Sequence, residues 1–231
     1  MDTLLQGETD FFELIETMYG TREDGIRHLE RHEYRLRRSS ESLGFPFSTA
    51  TFRKLVHNRC THAPAKTPCR VRAALNKTGE FNCIVAPLQP LAKEAVDVLL
   101  APEQGFSNRC TDDRLLRHKT TYREEYDAAI RTAEAQGAFD MLFFNERGEL
   151  TEGARSNVFL KLEGRWWTPP LSSGLLPGIM RSVILDDAAW DAGERVLMRT
   201  DLARMDELMV CNALRGPLKA HIRSQTMPHQ M

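Results

Sequence analysis

A chain of 231 residues with 42% hydrophobic and 27% charged side chains is long enough to bury a sizeable core and too apolar for a disordered segment. Its net charge of -1 supplies no global field for nucleic acid or a membrane surface, and no apolar run approaches the roughly 20 residues of a spanning helix. Five cysteines (Cys60, Cys69, Cys83, Cys110, Cys211), odd in number and never spaced C-x-x-C, argue for reduced thiols in a cytoplasmic protein.

The acidic stretch 1–10 lacks the basic-then-apolar order of a signal peptide. Residues 11–19 (FFELIETMY) predict a first strand, and 20–24 turn the chain. A helix is expected from Asp24, as its cap, to Leu43. Ile26, Leu29, Leu36 and Leu43 share a stripe, and Gly44 with Pro46 stops it. The basic run 31–38 (RHEYRLRR) reads as a solvated helix face. A second helix is expected over 49–60, then strands over 71–75 and 81–85 joined by the turn at 76–79, with Pro90 putting the latter at an edge.

A short helix is predicted from Leu91 (LAKEAVDVLLA). The polar, turn-rich stretch 103–112 suits a domain boundary, giving a smaller N-terminal α/β domain, 1–108, and a larger C-terminal domain, 109–231. A helix over 119–137 should close at Gly137. Residues 141–144 and 158–160 then read as strands, with 145–148 as the turn and Glu152 between the two apolar runs. A carboxylate there is costly to desolvate unless something cationic meets it. After 166–170 and a loop at 171–178, a helix is expected over 179–190, then short strands at 196–199 and 207–211. Without internal repeats, the order of elements predicts an α+β or mixed α/β fold in two blocks, with the active site in the cleft between them.

His28-Leu-Glu-Arg-His32 has its Glu misplaced for a zinc-helix motif, so no metal is expected. Ser156 in Arg155-Ser-Asn157 lacks a nucleophile elbow and reads as a turn hydroxyl. No glycine pattern marks a dinucleotide or nucleoside triphosphate site. Taken singly, Lys119 reads as a surface charge, Glu152 as half of a salt bridge, and Pro177-Gly-Ile-Met-Arg181 as a helix start whose free N–H groups suit an anion.

Six stretches in one order change that. They are Phe12-Glu-Leu-Ile-Glu-Thr-Met18; His28-Leu-Glu-Arg31; His118-Lys-Thr-Thr-Tyr-Arg123; Leu150-Thr-Glu-Gly-Ala-Arg-Ser-Asn-Val-Phe159; Thr168-Pro-Pro-Leu171 with Leu176-Pro-Gly-Ile-Met-Arg181; and Val210-Cys-Asn-Ala-Leu-Arg-Gly216. Together the chain resembles the fold-type IV pyridoxal-phosphate enzymes, the class IV aminotransferase family. Within it, Lys-Thr-Thr-x-Arg-x-x-Tyr-Asp at 119–127 and Cys-Asn-Ala-Leu-Arg-Gly at 211–216 are most similar to 4-amino-4-deoxychorismate lyases, especially the lyase domains of bifunctional synthase/lyase proteins.

The resemblance implies a two-domain fold like that of D-amino-acid aminotransferase and pyridoxal 5'-phosphate as cofactor. It assigns Lys119 to the internal aldimine and to proton abstraction, and Glu152 to the pyridine nitrogen. Arg31 falls to the phosphate, in a His-Leu-x-Arg-Leu helix motif where His32 replaces the usual Leu. Gly178, Ile179 and Met180 match the phosphate-cradling helix start, and Asn212 with Ala213 the last phosphate turn, where a hydroxyl residue is common. Arg123 and Arg155 are candidates for substrate carboxylates. Branched-chain aminotransferases place a tyrosine five residues after the lysine; here that residue is Glu124. The implied reaction is conversion of aminodeoxychorismate to 4-aminobenzoate and pyruvate for folate synthesis. A homodimer is implied as well, and aminodeoxychorismate synthase is a candidate partner whose docking the sequence leaves open. The alternatives are an aminotransferase for branched-chain or D-amino acids, and a cofactor-free homologue with a binding or structural role.

Overall fold

The computed structural model describes residues 12–223, so the acidic stretch 1–10 and Phe11 of the expected first strand lie outside the described residues. The chain packs as two compact units. The first comprises the chain up to Pro90, His118–Arg123 and Ala213–Arg215; the second comprises Leu91–Arg117, Glu124–Asn212 and the chain from Gly216 onward. The first division therefore falls at Pro90, where the sequence suggested 108. Residues 91–108 contain a strand that hydrogen-bonds into the sheet of the second unit.

In the first unit, β1 (Leu14–Thr21) turns tightly into the two-residue β2 (Gly25–Ile26). Gly25 takes φ +72, which lets the chain reverse and pair at once. The helix expected from Asp24 is thereby delayed: α1 spans Leu29–Leu43, and Asp24 instead accepts the Thr21 hydroxyl across the turn. Helix α2 (Thr49–Thr61) follows, capped by the Ser48 hydroxyl on the Thr51 N–H. Strands β3 (Cys69–Leu75) and β4 (Phe81–Pro87) complete an antiparallel sheet of order β2-β1-β3-β4.

Side chains alternate across that sheet. Leu14, Glu16 and Met18 of β1 stand beside Leu75, Ala73 and Val71 of β3, all almost fully buried on the face that carries α1. The opposite face carries Ile15, Thr17 and Tyr19 beside Ala74, Arg72 and Arg70.

In the second unit, β5 (Ala95–Leu100) lies where a helix was predicted. Val96, Val98 and Leu100 pack into one core cluster and Leu99 into another, so both faces are covered, and Asp97 alone interrupts the apolar run, paired with Arg223. Helix α3 (Glu124–Ala135) begins later than expected because 119–121 are extended and pair with β1 in the first unit. Strands β6 (Asp140–Phe144) and β7 (Leu150–Gly153) form the hairpin around 145–148, and Glu152 lies in β7. Strand β8 (Asn157–Leu162) pairs instead with β9 (Arg165–Thr168).

Helix α4 (Ile179–Asp186) stops four residues before the expected end, and a 3-10 turn takes over at Ala188–Trp190. Strand β10 (Ala192–Glu194) follows; the strand expected at 196–199 is a single bridge at Met198 leading into a 3-10 turn. Strands β11 (Glu207–Asn212) and β12 (Gly216–Ile222) finish an eight-stranded mixed sheet, β10-β9-β8-β11-β12-β5-β6-β7. The fold class is mixed α/β, as expected. Among the described residues no helix is long and apolar enough to cross a membrane.

Candidate active site

The first unit holds Lys119 by its backbone. The Lys119 carbonyl accepts the Ile15 N–H at 2.8 Å, Thr121 N–H donates to Glu13 O at 2.9 Å, and Leu14 bridges Thr120. This antiparallel register sets Lys119 opposite Ile15 and His118 opposite Glu16, so Lys119 belongs to the face away from α1. His118 confirms the alternation, because its Nδ1 lies 2.9 Å from Ser39 Oγ on α1. By the same register Thr17 and Arg72 share the Lys119 face. Arg72 is half-buried and makes no ion pair among the described residues. Neither residue was singled out in the sequence, because strand register is invisible without knowing which strands pair.

The face that carries α1 holds a buried ion network. Glu16, 1% exposed, accepts Arg35 Nε on Oε1 at 2.8 Å and Arg35 Nη2 on Oε2 at 2.6 Å. His32 Nδ1 is 2.6 Å from Oε2. Burial alone would push the Glu16 carboxyl up, but the charges and hydrogen bonds of Arg35 and His32 hold it down at about 2. Burial depresses His32 below the usual imidazole value, against the pull of Glu16. An ionised Glu16 can only accept, so the imidazole carries its proton on Nδ1.

Arg31 sits beside this stripe. The buried residues of α1 are His32, Arg35, Leu36, Ser39 and Ser40, whereas Arg31 is half-buried on the flank. Shifting the motif by one helical turn, to His32-Glu-Tyr-Arg35-Leu36, restores the Leu that His32 displaced in the earlier frame. Arg35 is thus the buried arginine of this motif.

The second unit positions Glu152. Its side chain is buried at 6% exposure and accepts hydrogen bonds from the Tyr126 hydroxyl at 2.9 Å and the Leu176 N–H at 3.2 Å, with Asn157 Nδ2 at 3.5 Å. Tyr126, on α3, packs edge-on against Phe143 at 5.1 Å, which fixes the phenol that orients the acid. Behind the loop from Glu152 to Asn157 lies Asp140, fully buried. Burial pushes its carboxyl up, while hydrogen bonds from Ser156 Oγ at 2.5 Å and the Met141 N–H at 2.8 Å oppose the rise.

Gly178 begins α4 with no side-chain cap, so the first-turn N–H groups of Ile179 and Met180 have no side-chain acceptor among the described residues. Arg181 anchors the helix from below through Pro169 O at 2.8 Å and an ion pair with Glu194. Asn212 donates to Arg155 O at 3.2 Å, and Ala213 next to it is buried. Arg155 pairs with Glu134 at 2.8 Å and lies over the Phe139 ring, engaged in a structural contact. Arg123 is half-buried at the turn ending the Lys119 segment.

Taken unit by unit, the donor types fit the separate parts of a phosphorylated pyridine aldehyde. The uncapped helix start suits a phosphate, the oriented buried carboxylate suits a protonated ring nitrogen, and Lys119 supplies an amine.

Comparison with known proteins agrees. A family model described as amino-transferase class IV matches residues 11–221. A Schizosaccharomyces pombe protein named "Putative aminodeoxychorismate lyase" is 28% identical over 195 residues, covering 83% of this chain and 82% of that protein. A Thermotoga maritima protein named "Probable branched-chain-amino-acid aminotransferase" is 28% identical over 193 residues, covering 80% and 68%. The crystal structure of a "Putative amino-acid aminotransferase" from Mesorhizobium loti superposes with a TM-score of 0.83 at 34% identity, covering 92% of this chain and all of that one.

Proposed function

This chain belongs to the class IV amino-transferases, and on that premise we propose that it is a lyase converting 4-amino-4-deoxychorismate to 4-aminobenzoate and pyruvate. Pyridoxal phosphate is the cofactor of this family, and when bound it supplies an electron sink for the bond-breaking step. Lys119 is the residue that carries it, and the Glu152 carboxylate holds a proton on its ring nitrogen. The Ile179 and Met180 amides, with Gly178 leaving room for them, bind its phosphate together with an arginine of α1 and the turn at Asn212 and Ala213. Arg35 replaces Arg31 as that arginine, because it is the one fixed on the buried stripe.

The chain's own groups then do three things. Lys119 Nζ takes the proton from the amine-bearing carbon of the substrate, acting as the base. Thr17 and Arg72, on the Lys119 face, receive a substrate carboxylate. Tyr126 and Asn157 keep Glu152 oriented while charge shifts nearby. Loss of the enolpyruvyl oxygen makes the ring aromatic, which drives the reaction without an amino acceptor.

The observation that carries the lyase reading over transamination is at Glu124. Where the branched-chain aminotransferase pattern has a tyrosine, this chain has an exposed glutamate opening α3, and the nearby Tyr126 turns to Glu152 instead. The relatives named as aminotransferases favour the second reading, amino transfer to a keto acid. The two part on one assay. Cofactor-loaded protein given aminodeoxychorismate should release pyruvate with no keto acid added. If it instead converts a branched-chain or D-amino acid only when 2-oxoglutarate is present, the aminotransferase reading replaces ours. Protein that stays colourless with pyridoxal phosphate would be the cofactor-free homologue. A homodimer, and a synthase delivering substrate, belong to the same proposal.

A further inference from the structure

Asn157 opens β8 with its side chain 4% exposed. Its Nδ2 donates to Leu176 O at 3.0 Å and lies 3.5 Å from Glu152 Oε2. That same Oε2 accepts the Leu176 N–H at 3.2 Å. Leu176 is therefore held at both of its backbone polar groups by the Glu152–Asn157 pair. Two residues later the chain reaches Gly178, the N-cap of α4.

Gly178 has φ -70 and ψ 144, a backbone any residue adopts. Glycine is still needed there, because a Cβ would overlap Asn157 Oδ1 and stand 3.0 Å from its Cγ; the next neighbour, Arg181 Cβ, is at an ordinary 3.7 Å. Conformational freedom does not explain this glycine. The carboxamide of Asn157 does.

We propose that Asn157 is a positioning residue that couples Glu152 to the first turn of α4, so that the carboxylate and the anion-facing amides keep one fixed spacing. This rests on the reading above, in which those two features hold the two ends of one cofactor. The other end of the coupling is equally braced. Gly153 N–H donates to Ser156 O at 2.7 Å, and Asp140 accepts Ser156 Oγ and the Arg155 N–H, fixing the turn that joins Glu152 to Asn157. Gly153 is itself required by this packing, since a Cβ there would overlap Asp140 Oδ2.

The coupling predicts suppression. Gly178→Ala should push the Asn157 carboxamide aside and weaken binding of both pyridoxal phosphate and inorganic phosphate to the apoprotein by roughly tenfold or more. Adding Asn157→Ala vacates the space the methyl needs, so the double variant should bind no worse than Asn157→Ala alone. Asn157→Ala alone should also shift the pH at which the visible band of bound cofactor changes, a readout that loss of packing by itself would not move.

Calorimetric titration with each ligand, the spectral pH profile and the thermal midpoint of each variant make the test. The proposal is overturned if Gly178→Ala binds as wild type, if the two substitutions add, or if the Asn157→Ala pH profile is unchanged. Should wild type bind neither ligand, the cofactor reading fails instead. The coupling is then decided by the midpoints alone, lowered in Gly178→Ala and recovered in the double variant if it is right, additive if it is wrong.

Discussion

Two fully buried carboxylates, one in each unit, titrate in opposite directions. Glu16 in the first unit is held down at about 2 by the guanidinium and imidazole beside it, overcoming a burial penalty that would raise it. Asp140 in the second unit is pushed up by burial, because its partners are a hydroxyl and backbone N–H groups. Depth alone thus does not decide the charge of an acid; the nature of its neighbours does. The first unit sets charged groups of α1, Arg35 and His32, on its buried acid, and these contacts anchor α1. In the second unit neutral hydrogen-bond donors orient both Asp140 and Glu152. That arrangement suits an acid meant to face a cationic ligand.

Breaking the anchor should have the largest effect on stability. Glu16→Ala leaves Arg35 buried without its carboxylate and should cost about 3–5 kcal/mol in urea unfolding. A cost below about 1 kcal/mol would mean that the network is not what fixes α1. The pH dependence has the same origin. The folded Glu16 value lies below its ordinary 4.5, so its contribution, about 3 kcal/mol, is complete above pH 4.5 and is lost as pH falls towards about 2. Asp140 has the reverse sign: its contribution is complete below 3.8 and is lost as pH rises through its elevated value. Glu16→Gln should therefore flatten the acid limb of a stability-pH curve between those limits.

Glu152→Gln comes next. It keeps the shape that Tyr126 and Asn157 contact, so cofactor should remain bound while turnover falls about 10²-fold. Unchanged turnover would remove Glu152 from the site. Arg72→Ala should raise KM about tenfold or more for a carboxylate substrate and change kcat less. The smallest effect is expected at Arg155. Its pair with Glu134 is partly solvated, at 27% and 57% exposure, so Arg155→Ala should cost under about 1 kcal/mol and leave KM near wild type. A large rise in KM would restore Arg155 as a substrate ligand.

How far these features were legible in the sequence depended on their range. Lys119, Glu152 and the Pro-Gly start of α4 stand in short motifs, so the order of motifs marked them. LAKEAVDVLLA satisfies a helical stripe as well as a strand buried on both faces, so only the sheet neighbours of β5 decide between them. The arginine of the His-x-x-Arg motif is another such case. Two overlapping His-x-x-Arg frames exist, and burial on α1, which follows from packing on β1, selects the second. That Arg72 shares the Lys119 face follows only from the pairing of β1 with β3 and of β1 with 119–121. Asn157 could be quoted as part of a motif, but its reach across to Leu176 is a tertiary fact.

The most direct test of the central claim is pyruvate release from enzymatically generated aminodeoxychorismate, without a keto-acid acceptor, by wild type and Lys119→Ala loaded with pyridoxal phosphate. The account predicts steady release by wild type and a loss of about 10³-fold or more in the variant. Equal rates in the two proteins, or no pyruvate from a wild type that binds the cofactor, would contradict it.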